Sequence, residues 1–214
     1  VMQIAMLLYD RFTALDIVGP YEVLSRLPGA QTTFVAAQPG PITNDSRSFV
    51  LEAQDALSEV SAPDIIVVPG GPGQRALMAD GELHRWLREV HEHTTWTTSV
   101  CTGSLLLAAA GLLDGRRATS HWLALEELAA LGALVTPERV VRDGKLMSAA
   151  GVSAGIDMAL ALAAELAGPE VAQAIQLGIE YDPQPPFDAG SPSSAPAAIV
   201  DAMRANSRFV LEGA

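Results

Sequence analysis

Three stretches of the chain are almost continuously apolar or β-branched: Gln3–Tyr9, Asp64–Val68 and Trp96–Val100. None alternates strictly between apolar and polar positions, which predicts strands covered on both faces rather than on one. Thr32–Ala37 reads as a further strand. Between these lie segments with helical spacing. Tyr21–Leu27 is one, Gly81–His93 another, the latter with Leu83, Trp86, Leu87 and Val90 on one face. Ser104–Ala110, Leu123–Leu131 and Ile156–Leu166 follow, and Gly168-Pro169 opens one more to about Glu180. Ile156–Leu166 is apolar enough to be buried nearly all round. Strands alternating with helices predict an α/β fold with a doubly wound parallel sheet and helices on both faces.

Some segments break the alternation. Pro39-Gly40-Pro41 reads as a turn, Ile42–Gln54 as a polar hairpin, and Val140–Met147 as a hairpin on an Asp143-Gly144 turn. Gly19-Pro20 inside a helical pattern predicts a kink or a late helix start. Asp182–Pro192 carries four prolines and excludes regular structure; Pro196 to the end reads as a last helix. Residues 2–181 therefore form one α/β domain. Residues 182–214 form a Pro-rich loop and helix that pack on the same domain or on a partner subunit.

Composition narrows the classes. The 214 residues are 49% hydrophobic and 18% charged, with a formal net charge of −12. Nucleic acid and anionic membranes are poor partners for such a surface. No apolar run reaches a membrane span and no signal peptide is evident. A lone cysteine excludes an internal disulfide and points to a reducing, cytoplasmic setting.

That cysteine is the centre of the candidate chemistry. Cys101 sits between the strand Trp96–Val100 and the helix that follows, in Ser99-Val100-Cys101-Thr102-Gly103. A nucleophile at such a turn projects from the sheet end, where helix amides and dipole favour a thiolate. Gly103 lets the turn pack. The alternative is a small buried hydrophobe. Asp16 lies just past the first strand among Leu15, Ile17 and Val18, either as a helix cap or as a functional carboxylate. Pro69-Gly70-Gly71 follows the third strand and lacks the Lys-Ser/Thr of a P-loop; it reads either as a tight strand-to-helix connection or as a cradle of backbone N–H groups for a developing charge. His121 is placed at a strand end, after Arg117–Ser120, as a site residue or a structural histidine. His91 and His93, two apart on a helix, point about 200° from one another and cannot clamp one ion; they read as a solvated helix end and not a metal site.

Leu15-Asp16-Ile17-Val18-Gly19-Pro20, Pro69-Gly70-Gly71, Ser99–Gly103, Gly111-Leu112-Leu113 and Arg117–Trp122 together resemble the class I glutamine amidotransferase-like superfamily, in the branch around the intracellular protease PfpI. The resemblance is closer to the isonitrile hydratase group. It extends through Glu138–Gly144, Ala154-Gly155-Ile156-Asp157 and the tail Gln176–Pro192. It implies a flavodoxin-like core, a homodimer, no metal or organic cofactor, Cys101 as nucleophile and Asp16 as its carboxylate partner. The implied reaction adds water to an isonitrile, R–N≡C, giving an N-substituted formamide through a covalent Cys101 thioimidate. Amides near Gly70, Gly71 and Thr102 are expected to hold developing charge.

Departures bear on activity. Thr102 stands where PfpI-type proteases carry histidine, and no His-x-Glu follows His121, which argues against peptidase and amidotransferase chemistry. Ala149-Ala150 replaces a glycine-rich pair beside the elbow. A different class, a ligand or oxidative-stress sensor using a reactive Cys101, is the alternative; transcriptional regulators share Leu-Asp-x-x-Gly-Pro.

Overall fold

The computed structural model describes residues 1–207. In chain order it comprises β1 (Met2–Leu7), α1 (Ala14–Leu24), β2 (Ala30–Ala36), β3 (Gly40–Thr43), β4 (Val50–Ala53), β5 (Asp55–Ala56), β6 (Ile65–Val68), α2 (Glu82–His93), β7 (Trp96–Val100), α3 (Gly103–Ala109), β8 (Arg117–Ala118), α4 (Leu125–Ala130), β9 (Leu134–Val135), β10 (Val140–Asp143), β11 (Leu146–Ala149), α5 (Ala154–Ala167), α6 (Pro169–Gly178) and α7 (Ala197–Ala205). The expected end of the last helix lies partly outside the described residues.

Seven strands form the central sheet in the order β10-β11-β7-β6-β1-β2-β5. All neighbours are parallel except β10, which returns antiparallel on β11 through the Asp143-Gly144 turn. β6 and β7 are completely covered. That explains their unalternating composition: both faces meet helices. α1, α5 and α6 pack as one helical layer, and α2, α3 and α4 as another. This is the flavodoxin-like α/β fold. From β1 the chain moves outward to β2 and then returns to the other side at β6. The C-terminal ends of β1 and β6 thus flank the switch point where such sheets collect ligands. No helix among the described residues is long and apolar enough to cross a membrane.

Several local expectations change. The segment Arg117–Trp122 does not join the main sheet. Only Arg117–Ala118 is strand, paired with β9 in a separate two-stranded ribbon. α1 starts at Ala14 and runs through Pro20 without a late start. Packing accounts for the Gly19-Pro20 pair: a methyl added at Gly19 would lie 3.0 Å from Ile156 Cγ1, and one added at Gly155 3.1 Å from Pro20 Cγ. α1 and α5 therefore cross in near-backbone contact. Gly40-Pro41 is the start of β3 rather than a turn, pairing with Glu52 and Ala53. α5 buries a stripe, Ala154, Gly155, Met158, Ala159, Leu162 and Ala163, and leaves Ala161 and Glu165 exposed. At the end of α2, His93 is exposed as expected, whereas His91 is partly buried with its Nδ1 2.8 Å from Thr97 Oγ1.

Gly103 opens α3 under the end of β6. A methyl there would sit 2.1 Å from Val68 O and 2.8 Å from Pro69 O, both backbone atoms that cannot move aside. Gly103→Ala is expected to lose about 3 kcal/mol of stability, read as a lowered midpoint in urea with an unchanged slope.

Candidate active site

Cys101 occupies the turn between β7 and α3 with φ 58°, a left-handed conformation that costs a non-glycine residue about 1–3 kcal/mol. The surrounding chain holds it there. Its N–H donates to the carbonyls of Ala149 (3.1 Å) and Ala150 (3.0 Å). Its carbonyl accepts from the hydroxyls of Ser120 (2.9 Å) and Ser104 (3.1 Å). The Ala149-Ala150 pair thus anchors the elbow through its backbone, whatever its side chains.

Asp16 is the third residue of α1 and is fully buried. The helix cap is Thr13, so Asp16 does not fill that role. Its Oδ2 accepts from Gly70 N–H at 2.8 Å, and Oδ1 has no hydrogen-bond partner among the described residues. Burial pushes the carboxyl up to about 8; the Gly70 amide and the Cys101 thiol, as donors, pull against that, and the Asp45 charge adds to it. The acid is therefore protonated at neutral pH.

The thiol moves the same way. Burial, and then the neighbouring Asp16 charge, raise Cys101 well above the ordinary thiol range. The Thr102 and Val152 backbone N–H groups and the Thr102 side chain, which hydrogen-bond with the sulfur, pull it back only in part. Burial and the Asp16 charge thus oppose the thiolate that the elbow position favours. α3 is a seven-residue helix, and its field does not offset complete desolvation beside a second acidic group. Both shifts favour the protonated forms of the pair.

Gly70 and Gly71 serve this pair differently from expectation. The Gly70 amide is engaged by Asp16, and the Gly71 amide donates to Thr102 Oγ1 at 3.1 Å. Gly71 has φ 135°, and a methyl there would lie 2.6 Å from both Arg11 O and Thr13 N, so the loop after β1 rests directly on it. These glycines lock the loops carrying Asp16 and Cys101 together.

Two neighbours were missed in the sequence. Val152 adopts φ 33°, rare for a β-branched residue, and its N–H reaches the Cys101 sulfur. Tyr9 is buried, donates its hydroxyl to Pro69 O at 2.7 Å, and feels the charges of Asp16 and Cys101. Its only sequence signal is its place at the end of the first apolar run. His121 lies beyond the ribbon strand, with its Nδ1 accepting from Leu123 N–H at 3.2 Å and its ring stacked near Trp122. Among the described residues no three His, Cys, Asp or Glu side chains gather as metal ligands.

A cavity of about 670 Å³ lies next to the elbow, lined in part by Leu15, Ser120, His121, Ala150, Gly151 and Val152. Cys101 and Asp16 are not on its wall; both are sealed one layer beneath it.

Comparison with known proteins shows what the chain as a whole is similar to. The DJ-1/PfpI family profile matches residues 2–165. The chain is 46% identical over 203 residues to an isonitrile hydratase of Pseudomonas putida, covering 95% of this chain and 89% of that protein. It is 36% identical over 143 residues to the HTH-type transcriptional regulator CdhR of Pseudomonas aeruginosa, covering 64% of this chain and 41% of the regulator. The crystal structure of a THiJ/PfpI family protein from Pseudomonas syringae superposes with a TM-score of 0.94 at 40% identity, covering 97% of this chain and 87% of that one. With a family profile spanning most of its length and near full-length similarity to two such proteins, the chain belongs to the DJ-1/PfpI family.

Proposed function

We propose that this protein hydrates isonitriles to N-substituted formamides, with Cys101 as nucleophile and Asp16 as general acid and base. The observation that carries the reading is the buried Cys101 sulfur beside the buried Asp16 carboxyl, on a chain 46% identical to an isonitrile hydratase. The terminal carbon of R–N≡C bears a lone pair and is itself nucleophilic. It must gain a proton before a nucleophile can add. A site for this reaction therefore needs a group that still carries a transferable proton at neutral pH, which a carboxyl raised to about 8 does.

The steps balance. The Asp16 proton goes to the terminal carbon as the Cys101 sulfur bonds to it, and the thiol proton returns to Asp16. The product is the thioimidate R–N=CH–S–Cys101. Asp16 then passes a proton to nitrogen and accepts one from an attacking water, giving R–NH–CH(OH)–S–Cys101. Loss of the hydroxyl proton breaks the C–S bond, the sulfur regains a proton, and R–NH–CHO leaves. The Thr102 and Val152 amides stabilise charge on sulfur as that bond forms and breaks.

The sealed position of the pair favours this substrate class. An isonitrile ends in a linear two-atom rod, slim enough to reach a buried sulfur. The oxidative-sensor reading gains no support, because peroxide reacts with thiolates and the thiol here is raised and buried. A homodimer in a reducing compartment, with residues 182–214 packed on the α/β domain or its partner, belongs to the same proposal.

The test is formamide production from cyclohexyl isocyanide by the reduced protein; no turnover by folded protein overturns the reading. The pH profile is a second check. Addition requires protonated Asp16, so kcat/KM is expected to hold a plateau through neutral pH and fall as pH rises through about 8. A profile that rises with pH across that point would assign the reaction to a thiolate instead.

A further inference from the structure

We infer that the cavity above the elbow selects isonitriles bearing a large, neutral, mostly apolar substituent, and that Gly190–Ser193 form the wall that reads it. This rests on the hydratase reading and adds the substrate class. The floor of the cavity, Gly151 and Val152, adjoins the sulfur through the Val152 amide. A bound isonitrile thus places its rod-like end toward Cys101 and leaves its substituent in about 670 Å³ of space. A volume of that order holds a drug-sized group; a cyclohexyl ring leaves most of it unfilled.

The lining argues for apolar contact. Leu15, Trp122, Leu125 and Pro137 supply the larger side chains. The charged residues at the rim are engaged within the protein. Glu138 pairs with Arg117 at 3.8 Å. Arg139 pairs with Asp157 and donates to Ser153 Oγ at 3.3 Å. An ionic substituent would have to compete with these partners, and the net charge of −12 gives no general attraction for anions.

The remaining wall comes from outside the family module. Gly190, Ser191, Pro192 and Ser193 line the cavity, whereas the family match ends at residue 165. Their position is built rather than incidental. Ser191 O accepts from Ala195 N–H at 2.9 Å, leading into α7. α7 is held by the buried Val200 and by Arg204, whose guanidinium lies 5.7 Å from the Trp122 ring centre. The same Trp122 lines the cavity, so the added segment docks on the residue that a substituent would touch.

The experiment compares kcat/KM for cyclohexyl, biphenyl-4-yl and 4′-carboxybiphenyl-4-yl isocyanide, in the wild type and in Gly190→Phe. A methyl at Gly190 meets no atom within 4 Å, so the phenyl ring enters open space. The wild type is expected to favour the biphenyl over the cyclohexyl compound by at least about tenfold, and over its distal carboxylate by a similar factor. Gly190→Phe is expected to lower the biphenyl-to-cyclohexyl ratio by about tenfold. Equal rates across the series, a preference for the carboxylate, or an unchanged ratio in Gly190→Phe would overturn the inference. Should no isonitrile be turned over, the hydratase reading fails and binding decides the wall. N-(biphenyl-4-yl)formamide is then titrated calorimetrically beside N-cyclohexylformamide: affinity about tenfold tighter supports the apolar wall, and equal affinity overturns it.

Discussion

Cys101→Ala is expected to abolish formamide formation, lowering kcat by at least about 10⁴-fold, as removal of a covalent nucleophile does elsewhere. No second thiol exists to substitute, since Cys101 is the only cysteine in the chain. The fold should survive, because the elbow is held through its backbone by Ala149, Ala150, Ser104 and Ser120 rather than through sulfur. Loss of activity with a native circular dichroism spectrum and melting profile therefore reports chemistry. Mass spectrometry gives a second readout: quenching the wild type during turnover should trap one isonitrile mass on the protein, at Cys101. Substantial turnover by Cys101→Ala would exclude the thioimidate and leave direct addition of water as the route.

Asp16→Asn is expected to cost about 10²–10⁴-fold in kcat/KM, the range for a positioned general acid–base group. The amide is isosteric and its oxygen can still accept from Gly70 N–H. It cannot deliver a proton to the isonitrile carbon, so the loss belongs to proton transfer, and any residual activity should lose its alkaline limb near pH 8. Stability should change in the opposite direction. The carboxyl is raised from 3.8 to about 8 in the fold, so the native state binds more protons than the unfolded state between those values. That contribution is complete below about pH 4 and is lost as pH rises through about 8. Asparagine removes the loss. The variant is expected to gain stability relative to the wild type from pH 4 to pH 8, followed by thermal melts across that range. An unimpaired Asp16→Asn would remove Asp16 from the mechanism, and an unchanged pH dependence of melting would remove the raised carboxyl.

Much of this architecture was legible in the residues. The apolar run Ile65–Val68 and the aromatic and β-branched run Trp96–Val100 show no apolar–polar alternation, as expected of strands covered on both faces, which a parallel sheet between helical layers supplies. Cys101, Asp16 and the Gly70-Gly71 pair each follow such a strand, and a doubly wound sheet gathers its strand ends at one edge. The segment before His121 shows where this reasoning stops. Arg117–Ser120 reads as a short strand, but these residues carry nothing about which strand they pair with, and the pairing is with β9, outside the sheet. Val152 was illegible for a related reason: a backbone N–H has no sequence signature, and its φ of 33° is imposed by neighbours.

The sequence by itself determined the alternation of the main strands and helices, the single thiol, and the acid and glycines that follow those strands. These follow from local composition and from steric limits on short turns. The tertiary structure decided the protonation of the pair. Burial is a sum over the whole fold, contributed by α1, β6, β7 and the chain after β11 together, and no local pattern encodes it. That sum raises both Asp16 and Cys101 and favours their protonated forms over the thiolate that the elbow alone suggests. It also decided the cavity, because Leu15, Trp122, Val152 and Ser191 are distant in sequence and become neighbours only when α7 docks its loop over the elbow.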